Sequence, residues 1–171
     1  TMSDVLIRHI SSRENELVTI HGWVIHNRSS GKLVFLEVRD GSGTIQCVIF
    51  QNDVPASLYD SVKHLPIETS VTIKGVARRD KRSKIGFEIG VTDVEIIHIP
   101  ISEYPISPKE HGVAYLLANR HLWLRSTRQV AIMKIRNTII DAIHNFFQKE
   151  GFIRFDTPIF TPSACEGTTT L

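Results

Sequence analysis

From residue 17 to residue 99 the apolar positions fall in short runs separated by glycine, asparagine, aspartate and serine, a cadence that favours strands over helices. Residues 17–25, 33–39, 44–50, 70–79 and 87–99 carry the strand character, with alternation plain at Val71, Ile73 and Gly75. Residues 27–32, which include Gly31, predict a turn. Asp40, Gly41, Ser42 and Gly43 predict a tight turn that makes the second and third strands a hairpin. A short helix is expected over 57–64. Five strands with a helix after the third predict a small, mainly β, closed barrel. That is the order of the OB-fold, which binds oligonucleotides across its second and third strands.

The pattern changes after residue 99. Residues 100–112 hold Pro100, Pro105 and Pro108 and read as a proline-stiffened hinge between a barrel domain, 1–99, and a second domain, 113–171. A short helical segment is expected near 113–118. The strongest helix of the chain starts at Ser126, a good N-cap, and runs to about Glu150 with Gly151 as its stop. Its apolar residues, among them Ile132, Ile135, Ile139, Ile143 and Phe146, cover more than one stripe. A single buried face cannot account for them, so a second partner is expected, either the rest of the same domain or another subunit. Residues 152–155 predict a strand, ending at Thr157 and Pro158. One helix and one strand leave apolar faces uncovered, so this domain is expected to be truncated, and Thr1 ahead of Met2 is expected to be a tag remnant.

Composition narrows the class. With 42% hydrophobic and 22% charged residues over 171 positions the chain is globular, and disordered or collagen-like classes drop out. No apolar run approaches the roughly 20 residues that span a bilayer, and no basic stretch followed by an apolar segment opens the chain. A cytoplasmic location and no membrane partner are therefore expected. Cys47 and Cys165 stand in no ligand-like spacing, and the eight histidines show no paired metal spacing, so no metal site is expected. A net charge of +2 permits nucleic-acid binding without announcing it. Its distribution says more: Arg78, Arg79, Lys81, Arg82 and Lys84 cluster around one acid, Asp80. Such a cluster is either a solvated hairpin loop or a phosphate contact.

Four segments carry a resemblance. They are His21-Gly22-Trp23-Val24 with Arg28, Gly31-Lys32, Phe35, Arg39-Asp40-Gly41 and Gln46; then Arg120-His121-Leu122-Trp123-Leu124-Arg125; then Gly151-Phe152 through Thr157-Pro158; then Glu166-Gly167. In this order they resemble the class IIb aminoacyl-tRNA synthetases, those for asparagine, aspartate and lysine. The resemblance covers nearly the whole chain. It implies an anticodon-binding barrel followed by the first helix and strand of an α/β catalytic domain, with motif 1 of a homodimer interface including Pro158. The forms RHLWLR, EGTTTL and YPISPKEHG are similar to the asparagine-specific, bacterial-type members; an aspartate-specific enzyme is the nearest rival. A second class of reading is a non-catalytic OB-fold module for single-stranded nucleic acid.

The same resemblance implies roles. Phe35 lies between Val34 and Leu36, so alternation turns it to the opposite face, where it is either core or a platform for a base. The resemblance favours the platform and assigns Phe35 and Gln46 to a shared middle uracil. Gln46 offers one donor and one acceptor to a base edge. Arg28 is implied as a base or phosphate contact, and Glu88 as the carboxylate for the first anticodon base, with a solvent-facing strand glutamate the equal alternative. Arg78, Arg79 and Lys81 are expected on tRNA phosphates, with no DNA partner. Glu166, with Gly167 and Ser163, is implied against the α-ammonium of the substrate amino acid. ATP and Mg2+ serve the parent enzyme through motifs that would follow Leu171. The chain alone is expected to bind tRNA for asparagine, to bind neither cofactor and to form no adenylate.

Overall fold

The computed structural model describes residues 3–106 and 109–159, so Ser163, Glu166 and Gly167 lie outside the described residues. The chain divides into two compact units, Thr1–Pro105 and Ile106–Leu171. The first runs β1 (Ser3–Asp4), a 3-10 helix (Ile7–Arg13), β2 (Leu17–Ser30), β3 (Leu33–Arg39), β4 (Thr44–Phe50), α1 (Ala56–Lys63), β5 (Ser70–Arg79) and β6 (Phe87–His98). The sheet order is β1-β2-β3-β4-β6-β5, and a further pairing of β2 with β5 closes it into a barrel.

Closure depends on β2 serving two edges. Its first half pairs antiparallel with β5, from Leu17↔Val76 to Trp23↔Ser70. Its second half pairs with β3, from Trp23↔Arg39 to Ser30↔Leu33. Between them the register slips at Val24/His26, a bulge that bends the strand from one neighbour to the other. Gly22 makes the bend possible, because a side chain there would run into the Arg39 carbonyl and Val38. The expected turn over 27–32 is therefore shorter than the composition suggests. β2 continues through Ser30, and only Gly31, in the left-handed region at φ 59°, and Lys32 turn the chain. The polar run Asn27 to Ser30 is strand because its backbone has β3 to pair with.

Alternation sorts the faces. Val34, Leu36 and Val38 of β3 and Ile45, Cys47 and Ile49 of β4 point into the core, with Val18, Ile20, Ile73 and Ile89 from the other strands. The two ends of the barrel are stoppered differently. Tyr59, Val62 and Leu65, on and just after α1, are buried near the β2–β3 turn, and Asn27 donates its side-chain amide to the Val62 and Leu65 carbonyls at 3.0 Å each. That amide ties β2 to the end of α1, adding a second donor to the Val62 carbonyl, which also accepts from Leu65 N at 3.3 Å. At the β3–β4 turn, Ile7 and Ile10 of the 3-10 helix are buried. The carboxylate of Asp40 accepts from the amides of Ile7 (2.8 Å), Ser42 (2.6 Å) and Gly43 (2.8 Å), while Ser42 Oγ accepts from Arg8 N at 3.0 Å. The tight turn thus caps the first turn of a helix more than 30 residues away, which local pattern does not show. Burial alone would raise the Asp40 pKa, but the hydrogen bonds from Ile7, Ser42 and Gly43 outweigh it and hold the carboxyl below its ordinary value.

The second unit contains α2 (Val113–Ala118), α3 (Arg120–Trp123) and α4 (Thr127–Lys149). Ser126 caps α4, its hydroxyl accepting from Gln129 N at 3.4 Å. At the other end Gly151 has φ 88°, its amide bonds to Gln148 O, and the Phe152 amide bonds to Phe147 O. The Phe147 and Phe152 rings meet edge to face at 5.4 Å, which completes a Schellman stop. The strand expected over 152–155 is not formed: residues 152–158 carry no regular structure and are exposed, Pro158 included. A strand needs a partner to receive its amides, and this segment has none among the described residues. No residue of α4 is buried.

Candidate nucleic-acid interface

The outward residues of β2, β3, β4 and β6 assemble into two cross-strand rows. One is His26↔Glu37↔Gln46↔Glu88, continued by Arg78 of β5. The other is Arg28↔Phe35↔Val48↔Gly90. Neighbouring strands lie about 4.8 Å apart, so members of a row are in side-chain reach. Together with Asp80, Arg82, Ser83 and Lys84 of the β5–β6 loop, all members of these rows except Arg78 and Gly90 line a groove of about 700 Å³. Phe35 is on this outer face and not in the core, and Arg28, Gln46 and Glu88 stand beside it in the groove.

Two contacts order the groove. Gln46 Nε2 donates to Glu88 Oε2 at 3.3 Å. With its amide nitrogen anchored there, the Gln46 carbonyl oxygen is left as an acceptor toward an N–H on a base edge. The Arg28 guanidinium lies over the Phe35 ring, 4.1 Å from its centroid. An exposed contact of this kind is worth about 0.5–1 kcal/mol. A base stacked on an aromatic ring gains about 1–3 kcal/mol, so an incoming base can displace the arginine. Cys47, on the same strand as Gln46, faces inward. Burial, and then the Glu88 charge, push its thiol pKa up, so it is a neutral core side chain.

The basic residues divide unexpectedly. Arg79 makes a 2.7 Å ion pair with Glu14 and sits 5.5 Å over the Phe87 ring. Neither it, Arg78 nor Lys81 lines the groove, whereas Arg82 and Lys84 do. Arg78 is exposed, and its guanidinium lies over Gly90, where any side chain would collide with it. The loop is held in shape by Asp80, whose carboxylate accepts from Arg82 N at 3.0 Å and Arg82 Nε at 3.2 Å. The first of these bonds is the main reason its pKa is lowered. His26 and Glu37 also belong to the groove, and the two-residue period from Arg28 and Phe35 was the signal that could have found them. Arg39 is not available, since it pairs with Glu68 at 3.0 Å.

A nucleic-acid-binding barrel joined to helical sequence of a second kind is matched by two family descriptions. Residues 18–97 match the OB-fold nucleic acid binding domain of the tRNA anticodon type, and residues 112–171 match the tRNA synthetases class II (D, K and N). The second description is that of the synthetases for aspartate, lysine and asparagine, and residues 112–171 are similar to that family. Over nearly its whole length the chain is similar to asparaginyl enzymes. It is 50% identical to an asparagine–tRNA ligase of Roseiflexus sp. over 96% of this chain and 37% of that protein. It is 46% identical to that of Thermus thermophilus over 98% of this chain and 38% of that protein. The asparaginyl-tRNA synthetase of Pyrococcus horikoshii, solved with asparaginyl-adenylate, superposes at a TM-score of 0.86 with 32% identity, over 98% of this chain and 39% of that one. The chain thus spans under two fifths of the length of these relatives.

Proposed function

We propose that this chain supplies anticodon recognition to an ATP-dependent asparagine–tRNA ligase, reading the RNA on the groove between β2 and β6. The supporting observation is the convergence of Arg28, Phe35, Gln46 and Glu88 on one groove although they come from four strands. Phe35 stacks the middle base, and the Gln46 carbonyl, held by Glu88, accepts from a uracil N3–H. The remaining carboxylate oxygen of Glu88 accepts from the N–H donors of a guanine edge, a role that gives an acid a favourable place on an RNA surface. Arg82 and Lys84 hold phosphates at the rim, a role that Arg78, Arg79 and Lys81 are less well placed to fill. The class II sequence beyond the barrel argues against a free-standing single-strand binder, and the names of the relatives favour asparagine over aspartate.

Asparagine, ATP and Mg2+ enter this proposal as the ligase's substrates and cofactor, with Glu166, Gly167 and Ser163 against the amino acid. Among the described residues no cluster of His, Cys, Asp and Glu could hold a metal, and the role assigned to the barrel is RNA recognition. No described helix is long and apolar enough to cross a membrane, and the proposed activity belongs in the cytoplasm. The exposed face of α4 and Pro158 are assigned to the pairing of two subunits. Charging assays with the full-length protein test the reading: asparagine should be esterified to asparagine tRNA and not to aspartate tRNA. Equal charging of both, or aspartate as the amino acid used, would reject it.

A further inference from the structure

We infer that Arg28 is a placeholder on Phe35 that makes part of the backbone affinity conditional on the middle base, an inference that rests on the RNA-binding reading above. The guanidinium sits 4.1 Å from the ring centroid, too close for a base to enter between them. Ring and base stack at a similar separation, so Arg28 and a base compete for one face of Phe35. The contact favours the covered ring by roughly two- to fivefold, a bias that a stacked base overcomes.

Displacement leaves Arg28 with a charge to place. Its side chain is exposed, and among the described residues no carboxylate pairs with it. It projects from β2 at the wall of the groove, two residues along the strand from Ser30, which also lines the groove. Guanidinium forks onto phosphate oxygens in bidentate geometry, and the nucleotide that has just arrived on Phe35 brings a phosphate with it. Phosphate contacts ordinarily position a nucleic acid without specifying it. Here one such contact becomes available only after a base has taken the ring. A nucleotide that fails to stack and to satisfy Gln46 leaves Arg28 where it is and forfeits the phosphate contact as well, so one mismatch removes two interactions. Arg28 is on this account a specificity-determining residue that acts through Phe35.

The consequence is a salt dependence that changes with the base. Two probes suffice: a short RNA hairpin whose loop carries a central uracil, and the same hairpin made abasic at that nucleotide. With the full-length protein, the slope of log affinity against log salt should be steeper for the uracil hairpin by about 0.7, the increment for one phosphate on a single strand. That difference should vanish in Arg28→Gln, which has no charge to transfer. It should also vanish in Phe35→Leu, where no ring retains the arginine and both hairpins should show the steeper slope. Equal slopes for both hairpins in the unsubstituted protein would overturn the inference while leaving Phe35-dependent binding intact. If instead neither the abasic change nor Phe35→Leu alters affinity, RNA does not use this face, and the underlying reading fails with it.

Discussion

Phe35 shows how one side chain's value depends on its layer. Flanked by two fully buried neighbours, Val34 and Leu36, it contributes little to the core and instead gives the outer face its one phenyl ring among the groove residues. Phe35→Leu keeps strand propensity and removes the platform, so anticodon-hairpin affinity should fall by about one to two decades with little change in thermal stability. A titration showing less than a twofold loss would remove Phe35 from the interface. Asp40 is the converse case, an acid within the segment that resembles the family and yet one that works on the fold. It accepts three backbone amides and one hydroxyl, so Asp40→Asn should lower unfolding free energy by about 1–3 kcal/mol in urea denaturation, leaving RNA affinity per folded molecule unchanged. Because folding lowers the Asp40 pKa, its contribution is complete above the unfolded value of 3.8 and is lost as pH falls through the folded one. The substituted protein should therefore lose less stability than the parent between about pH 5 and pH 2.

The β5–β6 loop divides a cluster of five cations that look equivalent in the sequence. Arg79, at the end of β5, is turned to Glu14, which lies 65 positions earlier, while Arg82 and Lys84 are carried into the groove by the Asp80-anchored turn. Neutralising Arg82 and Lys84 together should reduce the salt slope of RNA binding by about 1.4, at roughly 0.7 per phosphate. Neutralising Arg79 and Lys81 should reduce it by clearly less, since neither lines the groove; the reverse order would restore the pair expected from sequence. The same contrast explains what pattern could reach. The alternation of β3, the Ser126 cap and the Gly151 stop are local, and each is visible in a window of a few residues. The bend of β2 at Val24/His26, the capping of Ile7 by Asp40 and the Arg79–Glu14 pair depend on chain segments that meet only after the barrel closes. Residues 152–155 read as strand because their composition is apolar, but a strand is a relation between two segments and no described segment pairs with this one.

The two units differ in how they treat apolar surface. The barrel buries a continuous core from its strands, α1 and the 3-10 helix, whereas α4 leaves Ile135, Ile139, Ile143 and Phe146 between 50% and 62% exposed. These four fall at spacings of four, four and three residues, so they form one stripe along the helix. Transfer of such a stripe from water is worth about 25 cal/mol per Å², a gain open to any surface that fits it. Two arrangements would cover it: a second subunit, as proposed above, or the remaining length by which the relatives exceed this chain. Ile139→Asp distinguishes them, because Ile139 is half exposed on α4 and a carboxylate there does not oppose the helix itself. In sedimentation of the full-length protein, the substitution should convert dimer to monomer at micromolar concentration, since an unpaired charge buried at an interface costs several kcal/mol. If the stripe packs inside its own subunit, the same substitution would lower the melting temperature while the protein stayed dimeric, and α4 would then be a core helix of its domain.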